Sequence, residues 1–149
     1  MIDKTLNIGE HLLDTKGIVI VKEYGKDLPE ISSFENEIIQ VILSIINNGV
    51  DALVQNKIKT PYIYISIQKN KSGNQVILIE DNAGGIPDEI IPKIFDPYFS
   101  TKDRNGTGLG LYIAQIIITE HCDGLISVEN TTRGACFKIE LNKTIKEKN

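Results

Sequence analysis

The chain carries only two cysteines, Cys122 and Cys136, and only two histidines, His11 and His121. No CxxC pair occurs and neither histidine stands at ligand spacing from a cysteine, which argues against a zinc site. Two cysteines cannot form a disulfide scaffold, so both are expected as reduced thiols of a cytosolic domain. Long apolar runs are missing too: the longest are a few residues, against the ~18 that a membrane-spanning helix needs. The opening stretch Met1-Ile2-Asp3-Lys4-Thr5-Leu6-Asn7 lacks the basic-then-apolar layout of a signal peptide. These points favour a cytoplasmic location with no membrane contact by this segment. Positive charge is outnumbered, 16 Lys and Arg against 20 Asp and Glu, for a net charge of −4. That sign disfavours broad binding to nucleic acid or anionic lipid. A phosphate-bearing ligand stays open, but it would need local cations, a metal or aimed backbone amides.

What is present suits one domain. The 149 residues leave no room for two independent cores, and an apolar share of 41% is enough to fill one. There are no repeats and no low-complexity segment. Thr5 to Lys16 reads as a short helix stopped by Gly17, and Ile18-Val19-Ile20-Val21 as a strand. Asp27-Leu28-Pro29 breaks the chain. Ser33 can cap a long helix that runs to about Asn56, with Ile38, Val41, Ile42, Ile45, Ile46, Ala52 and Leu53 on its buried side. Strands over Tyr62–Gln68 and Gln75–Glu80 form a hairpin around Lys71-Ser72-Gly73-Asn74. A short helix is possible at Asp88–Ile94, and a longer one runs from about Leu109 to His121. Two more strands, Leu125–Glu129 and Ala135–Leu141, turn near Arg133-Gly134. The pattern predicts an α+β two-layer sandwich, a mixed and mostly antiparallel sheet with helices on one face. Residues 1–34 lead into a core over 35–141, with a lid at 88–105 and a polar tail at 142–149.

The long helix has an unusual polar stripe. Gln40, Ser44, Asn48, Asp51 and Gln55 recur at helical spacing, flanked by Asn47 and Gly49. A solvated face is normally rich in lysine and glutamate, whereas asparagine and glycine at mid-helix each cost about 0.5–1 kcal/mol. An amide carbonyl is a hard oxygen donor that suits Mg²⁺, which takes few protein ligands and completes its shell with phosphates and water.

Two glycine clusters flank a loop. Asp81-Asn82-Ala83-Gly84-Gly85-Ile86-Pro87 follows a strand, and Gly106-Thr107-Gly108-Leu109-Gly110-Leu111 precedes a helix. Neither is a P-loop, since no GxxxxGK[ST] occurs. The second is no dinucleotide fingerprint either, because Leu111 stands where GxGxxG needs glycine and no strand precedes it. Glycines ahead of a helix expose N–H groups to an anion, and Lys102 and Arg104 add cations there. Asp81, ending a buried strand, could accept a hydrogen bond from an exocyclic amine such as that of adenine. The loop between holds Phe95, Tyr98 and Phe99, which predicts a lid whose aromatics pack at its base between glycine hinges.

Together these segments resemble the catalytic ATP-binding domain of sensor histidine kinases, in the superfamily shared with gyrase, heat-shock chaperone ATPases and MutL-type mismatch-repair proteins. Gln40 to Ala52 resembles the N box, Asp81 to Pro87 the first glycine box and Phe95 to Lys102 the F box. Gly106 to Leu111 resembles the second glycine box, and Gly134-Ala135-Cys136-Phe137 the closing strand. The F box and the GTGLGL form point to the kinase branch. The resemblance implies the left-handed ATP-binding sandwich of that superfamily, the Bergerat-type fold, with ATP and Mg²⁺ as cofactors. Asn48 would be the metal ligand, and Asp81 would meet the adenine amine, with Gly85 and Ile86 lining the base. Asp51 and Tyr98 would complete the nucleotide site. Lys102 would sit in the lid near the terminal phosphates and act with Asn48 in catalysis. Thr107, Gly108, Leu109, Gly110 and Leu111 would offer backbone amides to the phosphates.

Two positions depart from the family pattern. Ser44 stands where asparagine, or glutamate in the pure ATPases, is usual, which weakens the case for strong hydrolysis. Ala83 replaces a frequent glycine, a mild change. Only 34 residues precede the long helix, too few for the helix pair that carries a phosphoacceptor histidine. His11 lacks an acceptor pattern and His121 lies near a helix end. The chain is therefore expected to be a catalytic domain separated from its acceptor region, monomeric in isolation. It would give the γ-phosphoryl group of ATP to a histidine on a dimerisation domain, in a pathway with a response regulator. The alternatives are a free-standing anti-sigma-type serine-protein kinase and a nucleotide-sensing module without transfer activity.

Overall fold

The protein's structure is a computed structural model, described here over residues 17–25, 35–99 and 109–142. The expected helix at 5–16, the break at Asp27-Leu28-Pro29, Ser33, residues 100–105 of the expected lid, residues 106–108 of the second glycine cluster and the tail beyond Asn142 lie outside them. Strand β1 is Val19–Tyr24, helix α1 Glu35–Gln55, β2 Tyr62–Lys69 and β3 Gln75–Asp81. A 3₁₀ turn at Ile91–Lys93 precedes α2, Gly110–Ile116, which continues as a π-helical turn over Ile117–His121. Strands β4, Leu125–Asn130, and β5, Ala135–Leu141, complete the order.

The five strands form one mixed sheet in the order β1-β2-β3-β5-β4. β1 and β2 run parallel, while β2–β3, β3–β5 and β4–β5 are antiparallel. The α+β reading holds, with one addition: β1, α1 and β2 form a parallel crossover unit where the sequence displays only its hairpins. Parallel pairing leaves no turn signature, because the partners are separated by a helix.

Strand alternation sorts the two faces of the sheet. Ile63, Ile65 and Ile67 of β2, Ile77 and Ile79 of β3, and Phe137, Ile139 and Leu141 of β5 all point into the core. There they meet Ile38, Val41, Ile42, Ile45, Ile46, Val50 and Leu53 of α1, and Ala114, Ile117 and Ile118 from α2 and its continuation. By length and composition α1 could cross a membrane, but half of that stretch is buried within the protein.

Two expected helices are altered. Over 88–94 only the short 3₁₀ turn forms, with Pro92 in its first turn. Proline lacks the donor that an α-helix would need there, and the amides of Ile90 and Ile91 instead both donate to the Pro87 carbonyl. The helix after the second glycine cluster widens at its end, where Cys122 N–H donates to Ile117 O and Gly124 N–H to Ile118 O. Asp123 takes a left-handed φ of 52° to make that exit. A Cβ on Gly124 would stand 2.5 Å from Glu140 O, so only glycine fits.

Neither described cysteine is in a disulfide. Burial is the main cause pushing both thiols up to about 11. Phe137 is fully buried and receives the Phe95 ring edge-on at 6.2 Å between centroids. Phe137→Ala is expected to cost about 3–5 kcal/mol of unfolding free energy, measured by urea denaturation.

Candidate functional site

The site is built around the end of β3. The alternation that turns Ile77 and Ile79 inward also turns Asp81 inward, and its side chain is buried. Its Oδ1 accepts from Ala83 N–H at 3.0 Å and from Ala135 N–H at 3.4 Å. Gly134 makes the second contact possible: a Cβ there would lie 2.2 Å from Asp81 O and 2.7 Å from Oδ1. Among the described residues none donates to Oδ2, which faces Gly49 of α1. A Cβ on Gly49 would come within 3.5 Å of that oxygen. Gly49 is therefore on the buried side of α1, facing the carboxylate, a placement that its position beside the polar stripe does not reveal. Burial raises the Asp81 pKa first and the nearby Glu80 charge adds to it, while the two backbone N–H groups oppose the shift.

The loop after Asp81 is tied down by side-chain amides. Asn82 Oδ1 accepts from Tyr62 N–H at 3.0 Å and its Nδ2 donates to Thr60 O at 3.0 Å. Asn56, just past α1, donates to Ala83 O at 2.8 Å. Asn130, at the end of β4, accepts from Ile86 N–H at 2.8 Å and donates to Ile86 O at 2.6 Å. Gly84 and Gly85 bend the loop with φ of 101° and 96°, values L side chains rarely adopt. Arg133 reaches back to the buried Glu80 at 3.2 Å.

Of the polar stripe on α1, only Ser44 and Asn48 are half-buried, while Gln40, Asp51 and Gln55 are exposed. The start of α2 comes to the same place, since a Cβ on Gly110 would lie 4.0 Å from Ser44 Oγ. The structure thus brings together the middle of α1, Asp81 with its loop through Gly85 and Ile86, and Leu109, Gly110 and Leu111 at the head of α2. Lys102, Thr107 and Gly108 lie outside the described residues. Of the three aromatics of the expected lid, two pack inward and one does not. Phe95 packs on Phe137 and Phe99 is half-buried, but Tyr98, with φ 63°, is 78% exposed. It is turned out by the left-handed turn that carries it. Asn56 and Asn130 carry no local signal in the sequence, and Gly134, which reads there as a turn residue opening the family's closing strand, gives no sign of its approach to Asp81.

A family model described as the histidine kinase-, DNA gyrase B- and HSP90-like ATPase matches residues 34–145. The chain belongs to this family. Within it the likeness is to catalytic domains of histidine kinases. The nucleotide-free catalytic domain of histidine kinase ThkA superposes with a TM-score of 0.81 at 28% identity, covering 95% of this chain and 90% of that one. Sporulation kinase C of Bacillus subtilis is 38% identical over 136 residues, 87% of this chain and 30% of that protein. The sensory histidine kinase/phosphatase NtrB of Rhodobacter capsulatus is 32% identical over 150 residues, 95% of this chain and 40% of that protein. The chain thus spans well under half the length of these two relatives.

The raised pKa of Asp81 has a stability consequence. Above that pKa the folded state holds a buried carboxylate at a cost, and the cost disappears as pH falls through it. Asp81→Asn keeps an oxygen for the Ala83 and Ala135 amides and carries no charge. It should melt higher than the unsubstituted chain at pH 7, with the gap closing as pH falls towards the ordinary aspartate value of 3.8, followed by scanning calorimetry.

Proposed function

We propose that the chain binds Mg-ATP in the cleft between α1, the Asp81–Ile86 loop and the head of α2, and gives the γ-phosphoryl group to a histidine on a separate dimerisation domain. The observation that carries this reading is the Asp81 carboxylate, with one oxygen held by backbone amides and the other turned to the space that Gly49 leaves open. An acceptor fixed in that way selects an exocyclic amine, because misalignment would leave a buried charge unpaired. Gly85 and Ile86 would line the base. Asn48 would supply a carbonyl oxygen to Mg²⁺, whose charge neutralises the phosphates. Among the described residues no three His, Cys, Asp or Glu side chains form a metal site. A single amide ligand suits an ion that takes its other ligands from phosphates and water.

Leu109, Gly110 and Leu111 would turn backbone N–H groups to the phosphates, with Thr107 and Gly108 before them, and Lys102 would add a cation as a catalytic group. Asp51 and Tyr98, both exposed, are the outlying members of the proposed set. The domain's task is positioning and charge stabilisation, with the nucleophile supplied by another domain. His121, the only histidine among the described residues, pairs through Nδ1 with Glu37 at 2.6 Å. A cytoplasmic, monomeric domain acting with a response regulator completes the proposal. ThkA is known in complex with the response regulator protein TrrA, a precedent for such a partner.

Calorimetric titration tests the site. Asn48→Ala should abolish the gain in ATP affinity that Mg²⁺ provides, and Asp81→Asn should weaken ATP binding by about tenfold or more and lose adenine selectivity. Unchanged titrations for both variants would refute the site. A second assay addresses transfer. With labelled ATP, the chain alone should form negligible phosphohistidine, while addition of a separate histidine-bearing dimerisation domain should yield label on that domain. Label on His11 or His121 would contradict the assignment.

A further inference from the structure

The end of the β4–β5 hairpin touches the site twice. Asn130 and Ala135 are register partners across the two strands. Ala135 donates its N–H to Asp81 Oδ1, and the Asn130 carboxamide takes both the N–H and the C=O of Ile86. The hairpin is closed directly after Asn130 by Thr131 N–H donating to Gly134 O at 2.7 Å, with Thr131 Oγ1 accepting from the amides of Arg133 and Gly134. One rigid turn therefore fixes both the acceptor and the loop beside it. The fit is close, since a Cβ on Gly85 would stand 2.9 Å from Asn130 Oδ1.

From this geometry we infer that Asn130 is a positioning residue for base recognition, setting the distance between the Gly85–Ile86 backbone and the Asp81 carboxylate. The inference rests on the reading of Asp81 as the adenine acceptor. Asn130 is exposed and lies 44 residues along the chain from Ile86, so no local sequence pattern links them. Its two hydrogen bonds compete with water, and their removal has a modest effect on folding. Their effect on the ligand is specific: they fix the base side of the cleft and leave the phosphate side at α2 untouched.

The test titrates Mg-ATP, Mg-ADP and Mg-GTP into the 149-residue chain and into Asn130→Ala and Asn130→Asp, with melting temperatures for each. Asn130→Ala should bind ATP and ADP about tenfold more weakly each, with the ATP-to-ADP ratio unchanged and the preference for ATP over GTP narrowed. Asn130→Asp, which keeps the acceptor for Ile86 N–H but sets a carboxylate against Ile86 O, should also narrow that preference. Unchanged ATP affinity and preference in both variants would overturn the inference. Equal losses for ATP and GTP accompanied by a lowered melting temperature would overturn it as well, as the mark of a merely structural residue. An unsubstituted chain that binds no Mg-ATP, or an Asp81→Asn variant that binds it normally, would instead overturn the site itself.

Discussion

A carboxylate buried at the end of a β-strand is the constraint around which this domain is arranged. Left without partners, such a group would be neutralised or would destabilise the fold. Here the backbone amides of Ala83 and Ala135 take one oxygen. That arrangement requires β5 to enter the sheet next to β3 with a residue lacking a side chain just before it, which is Gly134. It also brings the middle of α1 over the carboxylate at Gly49, again without a side chain. Two glycines with quite different sequence surroundings thus face the two oxygens of one carboxylate.

The surroundings of that carboxylate are fixed mostly by amides. Asn56, Asn82 and Asn130 reach the loop from the end of α1, from within the loop and from the end of β4. An uncharged carboxamide can donate and accept at once, and so it substitutes for a stretch of β-ladder where the chain must stay irregular. Charged side chains could hold the loop only by adding charge beside Asp81. The result is a loop that is non-repetitive in backbone conformation yet tied down at Asn82, Ala83, Gly84 and Ile86.

Much of this architecture was legible in the sequence, and the reasons are local. The isoleucine alternation in β2 and β3 and the helical spacing in α1 declare their inward faces directly, and the same alternation, extended by two residues from Ile79, forecasts an inward Asp81. The glycine clusters stand out because glycine is costly elsewhere. What stayed hidden depends on distance along the chain. The parallel pairing of β1 with β2, the grip of Asn130 on Ile86 and the close approach of Gly134 to Asp81 join segments with no short-range signature. The widened end of α2 is hidden for another reason: it reflects how that helix leaves for β4, a tertiary demand on residues whose own spacing fits an ordinary helix.

The placement of Asp81 has one more consequence, for the motions of the domain. Its partners belong to β5 and the glycine loop, and its neighbours to α1. Opening that corner therefore means separating β3 from β5 and lifting a helix off the core. In cooperative units of this kind, local fluctuations are suppressed up to the free energy of whole-domain unfolding. The amides of Ala83 and Ala135 thus belong with those of the central strands in hydrogen–deuterium exchange. If the proposed site holds, the purine would meet a rigid wall there.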